Sequence, residues 1–152
     1  MGESNTPRRN VPDCIILIAD RSDAFVDTVK DALADTPYAV LHAKNGEEAA
    51  YFINLLKSEI KLAIIELDLP ILSGLDLIWI IVKEKRPIPF KIIATTSSAT
   101  TDGRLLEEVV RKLGVDAVAR RPIPKQEWRK TIEAVFSGRL RSGQVIGDGE
   151  LC

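Results

Sequence analysis

The sequence contains few cysteines and no long apolar run, and both absences exclude classes of protein. Two cysteines, Cys14 and Cys152, occur among the 152 residues. They are too few for a disulfide framework, and their spacing fits no metal-binding motif. Residues 1–12 lack the apolar core of a signal peptide, and no stretch is long enough for a transmembrane helix. We therefore expect a protein without a membrane span that is located in the reducing cytoplasm.

Charge of one sign is not in excess either, since the formal net charge is −1 at pH 7. This balance gives no overall attraction to nucleic acid or to acidic membranes, so neither is an expected partner. Hydrophobic residues make up 45% of the chain and charged residues 28%, which is typical of a folded domain. The length fits one domain. We assign residues 13–137 to it, residues 1–12 to a flexible leader and residues 138–152 to a flexible tail.

Five short apolar segments alternate with five segments of helical periodicity. The predicted strands cover residues 14–19, 38–43, 62–67, 90–95 and 115–119. Apolar residues recur at helical spacing after each strand, and the last such segment is residues 124–136. Helical connections of this kind require the strands to run parallel. The sequence therefore predicts an α/β fold with a doubly wound five-stranded parallel sheet.

The third predicted strand delivers a carboxylate, Glu66, to one edge of this sheet. In open parallel sheets the functional crevice lies outside the carboxyl ends of the strands. We predict four other polar residues at these ends, namely Asp20, Arg21, Thr96 and Arg121. Pro122 follows Arg121 directly. Acids, a hydroxyl group and cations should therefore meet at one edge, and these residues form the candidate site.

Four separate motifs resemble the receiver domain of bacterial response regulators, which belong to two-component signalling systems. They are Ile-Leu-Ile-Ala-Asp at residues 16–20, Glu66 followed by Pro70 and Gly74, Ile-Ile-Ala-Thr-Thr at residues 92–96, and Gly-Val-Asp-Ala-Val-Ala-Arg-Arg-Pro at residues 114–122. The resemblance extends over residues 15–136. It implies the flavodoxin-like (βα)5 receiver fold and a role in phosphorelay signal transduction rather than an enzymatic activity.

The resemblance also assigns roles to the residues at the sheet edge. In receivers a third-strand aspartate accepts the phosphoryl group, an acidic pair and this acceptor hold Mg²⁺, and a lysine and a hydroxyl group bind the phosphate. Asp20 matches the first acid of the pair, and Thr96 matches the hydroxyl. In this sequence Arg21 replaces the second acid, Glu66 replaces the acceptor, and Arg121, next to Pro122, replaces the lysine. The chain therefore resembles a degenerate receiver, or pseudo-receiver.

These replacements disfavour the phosphorylation chemistry. Mg²⁺ prefers carboxylate and other oxygen ligands, so a guanidinium group at Arg21 removes one ligand and adds repulsion. Two unit charges about 4 Å apart interact by roughly 4 kcal/mol at an effective dielectric constant near 20. The longer side chain of Glu66 also displaces the nucleophile. We expect no cofactor and no metal, with Asp20 and Glu66 as ligands only if the site still binds Mg²⁺.

The leading hypothesis is a stand-alone receiver-like protein in which Glu66 pairs with Arg21 or Arg121. The signal would pass through protein contacts without phosphorylation. By resemblance to receivers, the contact surface is expected to comprise the fourth helix, the fifth strand and the fifth helix, and to bind a protein partner or a second copy. One alternative is a slow, Mg²⁺-dependent phosphoacceptor. Another is a nucleotide- or flavin-binding enzyme of the same fold class, against which the glycine-free turn at residues 20–23 argues.

Overall fold

The computed structural model describes residues 14–84, 87–96 and 108–138, and the backbone of residues 144–147. The strands are β1 (Ile15–Ala19), β2 (Ala39–Ala43), β3 (Ile60–Glu66), β4 (Lys91–Thr96), β5 (Ala117–Arg120) and β6 (Gln144–Gly147). The helices are α1 (Asp23–Ala32), α2 (Gly46–Leu56), α3 (Gly74–Glu84), α4, of which residues 108–113 are described, and α5 (Lys125–Ser137). No helix within these ranges has the length and apolar character that a membrane crossing needs.

The strands form one sheet in the order β2-β1-β3-β4-β5-β6, and all neighbouring strands run parallel. β1 and β3 are neighbours in the sheet, although β2 separates them in the sequence. The chain therefore reverses its direction of winding between β1 and β3, and in open α/β sheets ligand sites form at such a point. This topology confirms the predicted doubly wound parallel fold.

The sheet contains one strand more than the five predicted. β6 pairs with β5 from Ala117↔Gln144 to Arg120↔Gly147, and α5 connects the two strands. The four residues of β6 lie within the segment 138–152, so the prediction of a flexible tail is corrected for residues 144–147. The apolar pattern there is only two residues long and is flanked by glycines, a composition typical of a loop. The predicted leader, residues 1–12, lies outside the described residues.

Apolar side chains fill both faces of the sheet because its central strands are apolar without interruption. Leu17 of β1 belongs to the core formed with α2 and α3, whereas Ile16 and Ile18 belong to the core formed with α1 and α5. All three side chains are fully buried, and burial of each contributes about 1.5–3 kcal/mol. On the second face, the buried Trp128 of α5 meets Phe25 of α1 edge to face, with ring centroids 5.3 Å apart.

Side-chain caps fix the helices that begin at the carboxyl edge of the sheet. At the start of α1, Ser22 Oγ accepts a hydrogen bond from the backbone N–H of Phe25 at 3.1 Å. At the start of α2, Asn45 Oδ1 accepts one from the backbone N–H of Glu48 at 2.8 Å. Each cap satisfies a backbone donor that the helix itself leaves unpaired. The turn after β1, which carries Asp20, is therefore held in one conformation.

Two glycines allow close packing around the loop between β3 and α3. A Cβ atom on Gly74, the first residue of α3, would lie 2.0 Å from the carbonyl oxygen of Glu66. A Cβ atom on Gly46, the first residue of α2, would lie 1.8 Å from the carbonyl oxygen of Leu72. Only glycine permits such an approach of backbone to backbone. The sequence spacing between Glu66 and Gly74 therefore has a steric cause.

Candidate functional site

The predicted site residues meet at the carboxyl edge of the sheet. Asp20 follows β1, Glu66 ends β3, Thr96 ends β4 and Arg121 follows β5. Glu66 is paired in register with Thr95 of the neighbouring strand, so β3 and β4 end together. The site therefore lies at the reversal of winding that the topology provides.

Glu66 is a buried carboxylate with two arginine partners. Its side chain is 6% exposed, and its Oε2 lies 3.2 Å from Nη2 of Arg21 and 3.5 Å from Nη2 of Arg121. The backbone N–H of Arg21 also donates to Oε1 at 3.3 Å. Both arginines that could pair with Glu66 thus contact it at the same time, one from each side of β3.

Asp20 is the second buried acid, and its two oxygens have different partners. Oδ1 accepts a hydrogen bond from the backbone N–H of Ser22 at 2.8 Å. Oδ2 lies 2.9 Å from Nη1 of Arg121, in an orientation that gives an ionic contact without a hydrogen bond. Burial raises the pKa of the Asp20 carboxyl above its ordinary value of 3.8, although the Ser22 hydrogen bond and the Arg121 charge act to lower it. Desolvation therefore outweighs the attraction to Arg121.

Arg121 joins the two acids to the aromatic core. Its side chain is 15% exposed, and its guanidinium carbon lies 4.5 Å from the centre of the Phe25 ring, within the range of a cation–π interaction. The backbone of Arg121 is fixed as well, since its N–H donates to the carbonyl oxygen of Thr96 at 2.8 Å. The peptide bond from Arg121 to Pro122 is cis. The guanidinium group is consequently held between the carboxylates and the ring.

Asp68 and the two threonines at the end of β4 differ in their exposure to solvent. The side chain of Asp68 is exposed in the loop after β3, whereas Glu66 faces the interior. Thr96 and Thr95 are both buried, and the hydroxyl of Thr95 has no hydrogen-bond partner. Of these two carboxylates, Glu66 at the end of β3 is therefore the one that faces Arg21 and Arg121.

Two further residues at the site are not among those that the sequence predicts for it. His42 is the fourth of the five residues of β2, and its Nε2 lies 2.6 Å from the Asp20 carbonyl oxygen. In a hydrogen bond between them Nε2 donates, because a carbonyl only accepts. Phe25 contributes the ring below Arg121. The position of His42 near the end of a predicted strand could have placed it at this edge from the sequence. The contact of Phe25 with Arg121 could not be predicted in this way, because it depends on how α1 packs.

These side chains do not fit the ligand shell of Mg²⁺. The two buried carboxylates, Asp20 and Glu66, are already paired with the two guanidinium groups of Arg21 and Arg121. Within residues 14–84, 87–96 and 108–138, no group of three or more His, Cys, Asp or Glu side chains is arranged to hold a metal ion. Mg²⁺ needs several oxygen ligands, whereas here one oxygen of each carboxylate faces a guanidinium group and the other accepts a backbone N–H.

No family model and no curated protein matches the sequence. Solved structures do match it. A signal receiver domain from Vibrio parahaemolyticus is 25% identical, with a TM-score of 0.68 over 84% of this chain and 92% of the other. A response regulator receiver domain protein from Methanospirillum hungatei is also 25% identical, with a TM-score of 0.65 over 82% of this chain and 95% of the other. A chemotaxis response regulator of Vibrio cholerae is 19% identical, with a TM-score of 0.66 over 80% and 98%.

These similarities agree with the topology and with the position of the candidate site. The matching structures are covered almost over their full length, so the likeness concerns a whole receiver domain and not a shared βαβ unit. The motifs at residues 16–20, 92–96 and 114–122 overlap β1, β4 and β5, and these strands carry Asp20, Thr96 and Arg121 to the edge. The chain has the fold of response regulator receiver domains.

Proposed function

We propose that this protein is a receiver-like signalling module that works without phosphorylation and transmits its signal through protein contacts. The observation that carries the proposal is the double pairing of Glu66 with Arg21 and Arg121. Similarity at 25% identity to receiver domains supports a place in two-component signalling. The site would serve to hold one conformation, and we propose no catalytic role for it.

The charges at the site argue against a Mg²⁺-dependent mechanism. Phosphoryl transfer needs a metal ion or its equivalent to neutralise the charge that develops on the phosphoryl group. Here the two carboxylates face two guanidinium groups, so their charges already cancel. A metal ion would have to displace Arg121, whose side chain is mostly buried, from Asp20, and breaking a buried ion pair is strongly unfavourable.

The geometry of Glu66 also disfavours its use as a nucleophile. Its Oε2 atom is within 3.5 Å of both guanidinium groups, and its Oε1 atom accepts the backbone N–H of Arg21, so both oxygens are held by partners in this conformation. The arginine of the loop after β1 and the arginine after β5 meet on one oxygen. These contacts link the ends of β1, β3 and β5. We therefore infer that the site stabilises one conformation and does not switch between two.

Signal output would then depend on a surface away from this site. The surface expected from receivers comprises α4, β5 and α5, and β6 covers the outer edge of β5. A partner at that surface would therefore meet β6 together with α4 and α5, and not an open edge of β5. We propose a protein partner or a second copy as the occupant.

Incubation with acetyl phosphate and Mg²⁺, followed by intact-mass measurement, tests the proposal. We expect no phosphoryl adduct, because the Glu66 carboxylate is paired with two arginines. The guanidinium group of Arg121 also lies beside Asp20, where a metal ion would have to bind. The matched positive control is the triple variant R21D/E66D/R121K, which introduces the two aspartates and the lysine that receivers have at these positions. It should gain a Mg²⁺-dependent adduct if Arg21, Glu66 and Arg121 are what prevents the reaction.

A second variant, Glu66→Ala, identifies the source of any adduct on the wild type. A stoichiometric adduct on the wild type that disappears in E66A would show that Glu66 accepts phosphate, and the slow phosphoacceptor would then replace our proposal. A stoichiometric adduct that persists in E66A would arise at another side chain, and it would overturn the proposal as well.

A further inference from the structure

A cavity of about 550 Å³ opens at the amino-terminal edge of the sheet, the end opposite to Glu66. It lies where β1, β3 and β4 begin and where α5 ends, and its lining includes Lys61, Lys91 and Phe136. Its volume is in the range of small-molecule sites, about 300–1,000 Å³. No part of the candidate receiver site contributes to this lining, so a ligand there would be independent of the proposed function.

Aromatic and aliphatic side chains form most of the cavity wall. The rings of Tyr38 and Phe136 stack with their centroids 5.1 Å apart and their planes inclined by 20°. Phe90, Ile88 and Pro89 also belong to the apolar part of the lining. Aromatic rings in the lining favour a flat apolar group, since aromatic pairs prefer offset-stacked or edge-to-face contacts.

The polar part of the lining is positively charged. Lys61 and Lys91 contribute two ammonium groups, and Asp116 contributes one carboxylate. Asp116 is held in place, because its Oδ2 accepts the backbone N–H of Ile92 at 2.8 Å and its Oδ1 lies 3.9 Å from Nζ of Lys91. Nζ of Lys61 donates to the carbonyl oxygen of Ser58 at 3.1 Å and is not paired with Asp116. Among the described lining residues, the charge of Lys91 is therefore balanced by Asp116, and the charge of Lys61 is left for a ligand.

We propose that this cavity binds a small aromatic monocarboxylate. The apolar wall accommodates the ring, and the excess ammonium charge pairs with one carboxylate group. A cationic ligand would meet repulsion from both lysines. A neutral aromatic compound would gain only the apolar contacts, whereas a hydrogen bond to a charged group adds further stabilisation.

Naphthoate is a suitable probe, and amide nitrogen–proton NMR spectra of the full chain provide the measurement. We expect saturable shifts at the amides of Ile92 and Gly114, with those of Arg21 and Glu66 unchanged. Naphthalenemethanol, which has the same ring system and no charge, should bind about tenfold more weakly, since an interaction of ~1.4 kcal/mol is lost.

Lysine variants separate this site from non-specific binding. The double variant K61M/K91M should lose about tenfold in naphthoate affinity, whereas K125M, at the start of α5 and outside the cavity lining, should bind as the wild type does. The spectra themselves report whether each variant is folded. The proposal is overturned if the alcohol binds as tightly as the carboxylate, if K61M/K91M binds normally, or if the shifts cluster elsewhere or do not saturate.

Discussion

Arg121 is the residue on which the candidate site depends most. It contacts Asp20, lies 3.5 Å from Glu66 and covers the ring of Phe25. Planar guanidinium groups are suited to such combined contacts, because they present several donors and stack on aromatic faces. Lysine, the residue that receivers have at this position, offers a single charged group. The exchange to arginine therefore allows one side chain to contact two acids at the same time.

The raised pKa of Asp20 predicts a pH dependence of stability at this residue. Burial, the largest cause, makes the folded protein bind the Asp20 proton more tightly than the unfolded chain does. The stability from this group is fully present below the ordinary pKa of 3.8 and is lost as the pH rises through the higher folded-state pKa. Asp20→Asn cannot ionise. We therefore expect the free energy of unfolding of D20N, relative to the wild type, to increase as the pH rises across this range.

Urea unfolding of both proteins between about pH 3 and pH 7 provides the measurement. Asp68→Asn, the same exchange at an exposed side chain, controls for the amide substitution itself. Curves of D20N and the wild type that run parallel over the whole range would contradict the prediction.

Much of the site follows from the sequence, because the end of a parallel strand fixes where the next residue lies. Asp20, Glu66, Thr96 and Arg121 each follow or end an apolar run, so their meeting at one edge needs only the sheet topology. The ring below Arg121 depends on the packing of α1 against α5, which no local pattern encodes. For this reason Phe25 is found only in the structure.

The loop between β3 and α3 stores backbone strain at Ile71. Its φ angle is 71°, in the left-handed region that β-branched residues rarely adopt. The N–H of Leu72 donates to the carbonyl oxygen of Pro70 at 2.8 Å, which closes a three-residue turn around Ile71. The side chain is 72% exposed, so burial of the isoleucine offsets little of this strain.

Ile71→Asn should raise the free energy of unfolding by about 1 kcal/mol, because asparagine tolerates the left-handed conformation better than a β-branched residue does. Ile71→Val is the matched control, since it keeps the branched Cβ and should give no comparable gain. Chemical denaturation of the three proteins measures the effect. Equal stability of I71N and I71V would show that the backbone strain at this turn is negligible.

The sequence predicts the strands and helices that carry a long apolar pattern, but it does not predict the short strand β6. β3 and α3 each carry a long, buried pattern. β6 has two apolar residues between glycines, and its pairing depends on an edge of β5 that the fold leaves available. Formation of β6 is therefore decided by tertiary structure, and local propensity gives no sign of it.

At the scale of the whole molecule, β6 links the edge of the sheet to the candidate site. It pairs with all four residues of β5, up to Arg120↔Gly147, and Arg121 follows directly. A strand that is paired on both sides keeps its backbone groups out of water, whereas an edge strand leaves one side unpaired. β6 should therefore stabilise the strand that positions Arg121 between Asp20 and Glu66.

Deletion of residues 139–152 should make β5 the edge strand of the sheet. In a parallel strand, successive backbone N–H groups point to opposite neighbours, so every second amide of β5 would lose its partner. We expect amide hydrogen exchange at these positions to accelerate by about fivefold or more, since a lost hydrogen bond is worth ~1 kcal/mol and local opening becomes easier. The amides of β1, which is paired on both sides by β2 and β3, are the internal control and should change little. Unchanged exchange throughout β5 would mean that β6 does not protect it, and that Arg121 is anchored by its backbone hydrogen bond to Thr96 and by its side-chain contacts without help from β6.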